Sequence, residues 1–315
     1  MAALSIQPYA GALQGGWDSF VKGSKNGLFL FERGYMDYHA DRFKDQSLLI
    51  RRGGRIVAVL PANRVGDTLQ SHGGLTFGGL VVDRSMTTPL MMEIFDALGA
   101  HLAEAGVTTL LYKRSPHVFH SVPAEEDLYA LFRHGATLVR RDLSSTIDTR
   151  ERIPPDKDRR YSISKGKASA VKVAPSSDYR AFMRIEADLL REKYAKEPTH
   201  SADEMALLAG RFPENIKLFA ADLDGAMVGG VIIYESANVA HTQYIGSTKE
   251  GRKLNAVDLL LHHLIENEYQ HKRYFDFGIS TEKAGRYLNT GLVDFKESFG
   301  ATAVAYDTFE LKLAM

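Results

Sequence analysis

The sequence predicts an α+β protein in which one unit is written twice, each unit a mixed, mostly antiparallel sheet flanked by helices. Three observations carry this expectation. A β-hairpin with a two-residue turn recurs with its turn 171 residues further along. Each hairpin leads into a further strand, a long amphipathic helix and another strand. A Pro-Pro breaker and a basic run separate the two copies.

The first hairpin joins Leu48–Arg52 to Arg55–Leu60 through Gly53-Gly54, and the second joins Ile216–Ala221 to Met227–Ile233 through Asp224-Gly225. Such pairs fit turns whose central residues have positive φ, flanked by β-type runs. Val81-Val82 then precedes a helical pattern over 88–104, with Leu90, Met91, Ile94, Phe95, Leu98 and Leu102 on one face, and a strand over 108–112. In the second copy, Val239–Ile245 precedes a helix over about 254–269, faced by Leu254, Val257, Leu260, Leu261, Leu264 and Ile265, then a strand over 274–277. A last strand is expected from Ala303 to about Leu311.

Pro154-Pro155 suits neither a helix interior nor a central strand. From Glu151 to Lys172 there are seven basic side chains against three acidic ones, net +4 in a chain whose formal charge is +0. These place the division at 1–151 and 152–315. The basic stretch reads either as a solvated connector or as an attractor for a phosphate-bearing ligand.

Thirty-nine Lys+Arg balance thirty-nine Asp+Glu across 315 residues, which argues against a whole-surface nucleic-acid or membrane binder. Zero cysteines exclude disulfides, thiolate metal ligands and a cysteine nucleophile. No run approaches 18 apolar residues and the N-terminus lacks the layout of a secretory signal, so a soluble, cytoplasmic protein without membrane insertion is expected. Dinucleotide, P-loop and G-x-S-x-G fingerprints are missing. H-E-x-x-H is missing too, and adjacent His262-His263 do not share a helical ligand face, so no metal is expected. The glycine-rich stretch from Ser71 to Gly79 reads as turn chemistry or as backbone near a ligand, with His72 as a polar tip.

The C-terminal segment carries the chemistry. Asp276 sits between Phe275 and Phe277, and Lys296 follows Phe295. A charge in an apolar run is costly to bury unless paired, so these two read as a structural ion pair or as a site. The order Phe275-Asp276-Phe277-Gly278, a loop, then Phe295-Lys296-Glu297 with Phe299-Gly300, resembles the C-terminal part of FemAB-type transferases, members of the wider GNAT acyltransferase superfamily. Arg159-Arg160-Tyr161-Ser162-Ile163 and the tandem halves are similar to that family as well. The resemblance implies two GNAT-like domains and transfer of an acyl or aminoacyl group to an amine, with Lys296 assisting the transition state.

His241, Asp276 and Glu282 are then candidate bases or amine-orienting groups. Gln243 is expected on the face of His241 and Tyr244 opposite it. Gly251-Arg252-Lys253-Leu254-Asn255-Ala256 departs from the usual phosphate loop of a coenzyme-A-dependent GNAT, yet Gly251, Arg252, Lys253 and Asn255, with Tyr244, form the expected donor-binding group. His72, Gln243, Phe295, Arg160 and His200 are the expected acceptor-side residues. The expected co-substrate is acyl-CoA, with no tightly bound cofactor. The expected acceptor is a small amine, such as a phosphate-bearing nucleotide-sugar or cell-envelope precursor. Two alternatives stay open: an aminoacyl-tRNA-dependent FemAB-type enzyme, with tRNA as partner, and a non-catalytic binding module of the same fold.

Overall fold

The structure, a computed structural model, describes residues 3–194 and 196–313, apart from the side chains of 193 and 194. The chain divides into two compact units. The first comprises Met1–Asp142, Lys283–Arg286 and Ala305–Met315; the second comprises Leu143–Glu282 and Tyr287–Val304.

The first unit runs β1 (Leu4–Pro8), α1 (Gln14–Gly23), α2 (Arg33–Met36), β2 (Leu48–Arg52), β3 (Arg55–Leu60), β4 (Asn63–Val65), β5 (Thr68–Gln70), β6 (Val81–Val82), α3 (Thr88–Glu104), β7 (Thr109–Lys113), α4 (Glu126–Arg133) and the start of β8 (Thr137–Asp148). In the second follow α5 (Lys157–Ala168), β9 (Lys172–Ser176), α6 (Tyr179–Tyr194), α7 (Ala202–Arg211), β10 (Ile216–Leu223), β11 (Ala226–Glu235), β12 (Val239–Ser247), α8 (Lys249–Lys253) and α9 (Ala256–His263). A π-helical turn (Leu264–Glu268), β13 (Tyr274–Ile279), β14 (Thr281–Glu282), β15 (Tyr287–Leu288), α10 (Thr290–Glu297) and β16 (Thr302–Lys312) complete the chain.

Both hairpins form where expected. Gly53 and Gly54 have φ of 57° and 81°, Asp224 and Gly225 50° and 84°, so each turn uses two left-handed residues and pairs its strands tightly, Arg52 with Arg55 and Leu223 with Ala226. In the first unit β1-β2-β3-β6 form one sheet, and β4, β5 and β7 another whose far neighbour is the end of β16. Helix α3 starts on a Thr87 cap that accepts from Leu90 N–H and buries the six apolar side chains its period marks. In the second unit the order is β8-β13-β12-β11-β10-β9, antiparallel except between β12 and β13. Its core gathers Val231, Ile233, Leu260, Leu261, Phe275 and Phe277 around α9.

Three readings change. The division falls at 142/143, not 151/152, and the C-terminal segment alternates between units, because β8 begins in one unit and ends in the other. The prolines directly precede the N-cap of a helix. The basic run is neither a connector nor extended: Asp156 caps it as helix α5, which lays Ile163 and Gly166 on α9. A Cβ at Gly166 would stand 2.9 Å from Asn255 O and Leu259 Cβ, so the close approach needs glycine. The helix expected over 254–269 starts two residues later, at Ala256, because Asn255 adopts φ 53° and sets it off from α8, and its last turn, Leu264–Glu268, is π-helical.

Candidate active site

In the second unit, β12 and β13 are hydrogen-bonded neighbours only at Val239–Tyr274, Ala240–Phe275 and His241–Asp276. Beyond that the parallel pairing stops, leaving Thr242–Ser247 and Phe277–Ile279 as edges of a seam. A bulge in β12 places Thr242 opposite Ile233 and Tyr244 opposite Ile232, with Gln243 as the extra residue. The bulge overturns the expected facing. His241 and Tyr244 sit opposite Tyr234 and Ile232, two residues apart on β11, so they share a face and Gln243 does not alternate with them.

At the end of the pairing lies a buried charge network. Asp276 is fully buried. Its Oδ1 accepts from Ser144 Oγ and Thr146 Oγ1, both at 2.6 Å, and its Oδ2 from Gly278 N–H at 3.2 Å, with His241 Nδ1 at 2.6 Å from Oδ2. Burial alone would raise this carboxyl; the bonds from His241, Ser144 and Thr146 outweigh it and hold it below the usual carboxylate range. With four donors around it, Asp276 is an orienting group for His241.

Lys296 is 3 % exposed, and its Nζ donates to the carbonyls of Gly278 and Ile279, each at 2.8 Å. An ammonium has three N–H donors, and these bonds use two. Burial pushes the Lys296 ammonium down to about 8, against the opposing pull of Asp276. Gly278, at φ 71°, links the two charges: its N–H serves Asp276 and its carbonyl serves Lys296. A Cβ there would stand 3.2 Å from the His241 ring.

Next to this network opens a cavity of about 600 Å³, lined by α6, the end of β12, the end of α8, the start of α9, and α10. Asn289, Leu292 and Phe295 line it, and Lys296 follows one step along α10 on the stripe of Asn289 and Leu292. Arg252 lines it too, its guanidinium donating to Ser247 O at 2.9 Å. Gly251 faces inward, where a Cβ would meet Val228 O at 2.1 Å, so its glycine serves packing. Lys253 is exposed, and Asn255 supplies the left-handed residue that starts α9.

The other expected residues lie elsewhere. Glu282 accepts from Asn289 Nδ2 at 3.0 Å and so braces the cap of α10. Arg160 is exposed on α5 and bound to Pro155 O. His200 precedes the capping box of α7, and its Nδ1 meets the Tyr244 hydroxyl at 2.7 Å. Gln243 Oε1 is buried without a partner. His72 belongs to the first unit, 2 % exposed beside His39 and Phe43. Burial, then His39, pushes its imidazole down to about 3, so it is neutral at physiological pH.

Two residues were not among the expected site residues. Arg159 lies 4.6 and 4.5 Å above the rings of Phe295 and Phe299, donates to Ser298 Oγ at 2.9 Å and pairs with Asp258, which fastens α10 to α9. Glu186 lines the cavity from α6. Its signal was its position, one turn after Phe182 and one before Leu190 on an apolar stripe. Among the described residues no group of three His, Asp or Glu side chains could hold a metal, and no helix is long and apolar enough to cross a membrane.

Residues 157–296 match the family model described as an acetyltransferase (GNAT) domain. No curated protein sequence matches the chain. Among solved structures, the crystal structure of FemX is similar at 12% identity and TM-score 0.69, over 98% of this chain and 97% of that one. A tandem GNAT protein from the clavulanic acid biosynthesis pathway is similar at 14% identity and TM-score 0.54, over 99% of each chain. L-PGS from Bacillus licheniformis is similar at 13% identity and TM-score 0.59, over 82% of each.

Proposed function

For this chain, which has a FemAB-like tandem-GNAT fold, we propose N-acyl transfer from acyl-CoA to the amine of a small acceptor, with the reaction centred on Lys296. One observation carries the reading: a buried ammonium held by two backbone carbonyls, with its third N–H unassigned, at a seam beside a largely apolar cavity.

Attack of an amine on a thioester produces a tetrahedral oxyanion. A fixed N–H donor in a dry site lowers that barrier by roughly 3 kcal/mol. Lys296 supplies the donor and the charge, and its two carbonyl bonds fix the direction of the third N–H before substrate arrives. Phe277 and Phe295 keep the surroundings dry. His241, oriented by Asp276, holds the end of the seam. Leu189, Leu190, Ile245 and Leu292 suit the unbranched arm of an acyl-CoA, with Arg252 where its phosphates would lie. The exposed cations of α5, Lys157 and Arg160 among them, support a phosphate on the acceptor.

The test is release of free CoA thiol from acetyl-CoA across a panel of primary amines. Turnover that Lys296→Met abolishes, with the circular dichroism unchanged, supports the assignment. Wild-type rates in that variant remove it. Transfer from aminoacyl-tRNA that ribonuclease destroys would move the donor to the FemAB type, and no turnover with either donor would leave a binding module.

A further inference from the structure

Among the described residues, helix α6 carries one carboxylate that nothing around it answers. Glu186 is 6 % exposed, and its Oε2 is buried without a hydrogen-bond partner. It lines the cavity among apolar walls that include Leu190, Ile245, Val257 and Leu292. Residue 246 leaves it room: a Cβ there would stand 2.8 Å from Oε2, and position 246 is glycine. An ionised carboxylate in such a setting is costly unless a cation joins it. Among the described residues the one cation lining the cavity, Arg252, is already committed, since it serves the Ser247 carbonyl and lies 3.8 Å from Glu192.

We infer that Glu186 receives a primary ammonium group entering this cavity and takes one of its protons. The binding half stands on the cavity alone; the proton-transfer half rests on the acyl-transfer reading. In that step an N–H bond of the ammonium breaks as an O–H bond forms on Glu186. The freed nitrogen lone pair forms the C–N bond to the acyl carbon. The C–S bond to the leaving thiol then breaks, and the departing sulfur keeps its electron pair and accepts the second proton released by nitrogen. Burial pushes the Glu186 carboxyl up to about 7, which suits an acceptor that must give the proton back near neutrality. The ammonium that gives up its proton is the acceptor's; the ammonium of an aminoacyl donor would share the ion pair with Glu186 but not the proton transfer.

The experiment titrates n-butylammonium chloride into the full chain at pH 8.5, where the carboxylate is ionised, and at pH 5.5, where it is protonated. The expected result is saturable binding at pH 8.5, at least tenfold weaker at pH 5.5 and at least tenfold weaker in Glu186→Gln. Glu186→Leu, with folding followed by circular dichroism, repeats the comparison should the first variant be unstable. Equal affinity in wild type and variants, or no binding by wild type, overturns the inference. Binding that persists under saturating CoA supports an acceptor site beside the donor, and binding that CoA excludes overturns the proton-transfer half. If amine binding depends on Glu186 while no donor is turned over, the acyl-transfer reading falls and the binding site stands.

Discussion

The two units follow one plan and treat its central seam in opposite ways. In the first, β6 and β7 lie in different sheets, and Tyr112 occupies the ground between them: fully buried, its hydroxyl accepts from Leu80 N–H at 2.8 Å and donates to Asp127 at 3.0 Å. The glycine-rich stretch closes in as well. A Cβ at Gly78 would fall 1.9 Å from Ser71 O, and one at Gly79 2.9 Å from the Tyr112 ring. In the second unit, β12 and β13 pair three times and then part, and the end of β12 lines an open cavity that Glu186 also lines, beside the helix that carries Lys296. The difference teaches that this scaffold is neutral about chemistry. Whether a seam becomes core or site depends on whether an aromatic side chain fills it.

The comparison breaks first at Lys296. Lys296→Met is expected to lower kcat/KM by about 10²–10³-fold without loss of secondary structure; a comparable loss from a first-unit substitution would mean that both seams work. Next in size, Tyr112→Phe leaves Leu80 N–H without a partner and removes one of the hydrogen bonds to the buried Asp127, and is expected to destabilise by about 1–3 kcal/mol in urea unfolding. An unchanged midpoint would show that the first seam is not held by that hydroxyl.

Glu186→Gln sharpens the contrast with the opposite sign. The folded carboxyl titrates near 7 and the ordinary one near 4.5, so between those values the folded chain holds a proton that the unfolded chain has released. Wild-type stability therefore falls as pH rises through that window. The variant should gain about 1–3 kcal/mol at pH 8 and nothing at pH 4. For activity, Glu186 must be ionised and Lys296 charged, so kcat/KM should rise through about 7 and fall through about 8. Glu186→Gln flattens the acid limb of that bell. Smallest of all, His72→Leu is expected to alter turnover less than about twofold, because a neutral buried imidazole in the first unit carries no charge to lose.

Local signals in the sequence led to the right elements wherever a residue had to adopt one conformation. Gly53-Gly54 and Asp224-Gly225 need positive φ, and the apolar period of α3 has one face to bury. The reading failed where tertiary context chose between conformations. Asn255 turns left-handed at the start of a helical pattern, and the bulge at Gln243 moves Tyr244 to the face of His241 with no local mark. Lys296 and Asp276 stood out because their neighbours are phenylalanines, yet nothing local told that Asp276 would be saturated by hydroxyls from β8. Glu186 was hidden for the converse reason, since a glutamate on a helix that also carries Arg180, Arg184, Asp188 and Arg191 looks solvated until the stripe it occupies is traced.

The hydroxyls of Ser144 and Thr146 have a practical corollary. The segment 157–296 that matches the acetyltransferase domain includes every residue around the cavity. Excised at those limits, it would lose two of the four donors to Asp276, the strand that carries them, and the Phe299 ring beneath Arg159. A shortened version intended to keep the second unit working should begin before Leu143 and run past Val304, and an apparently dead shorter piece would speak of a stranded anion and not of missing chemistry.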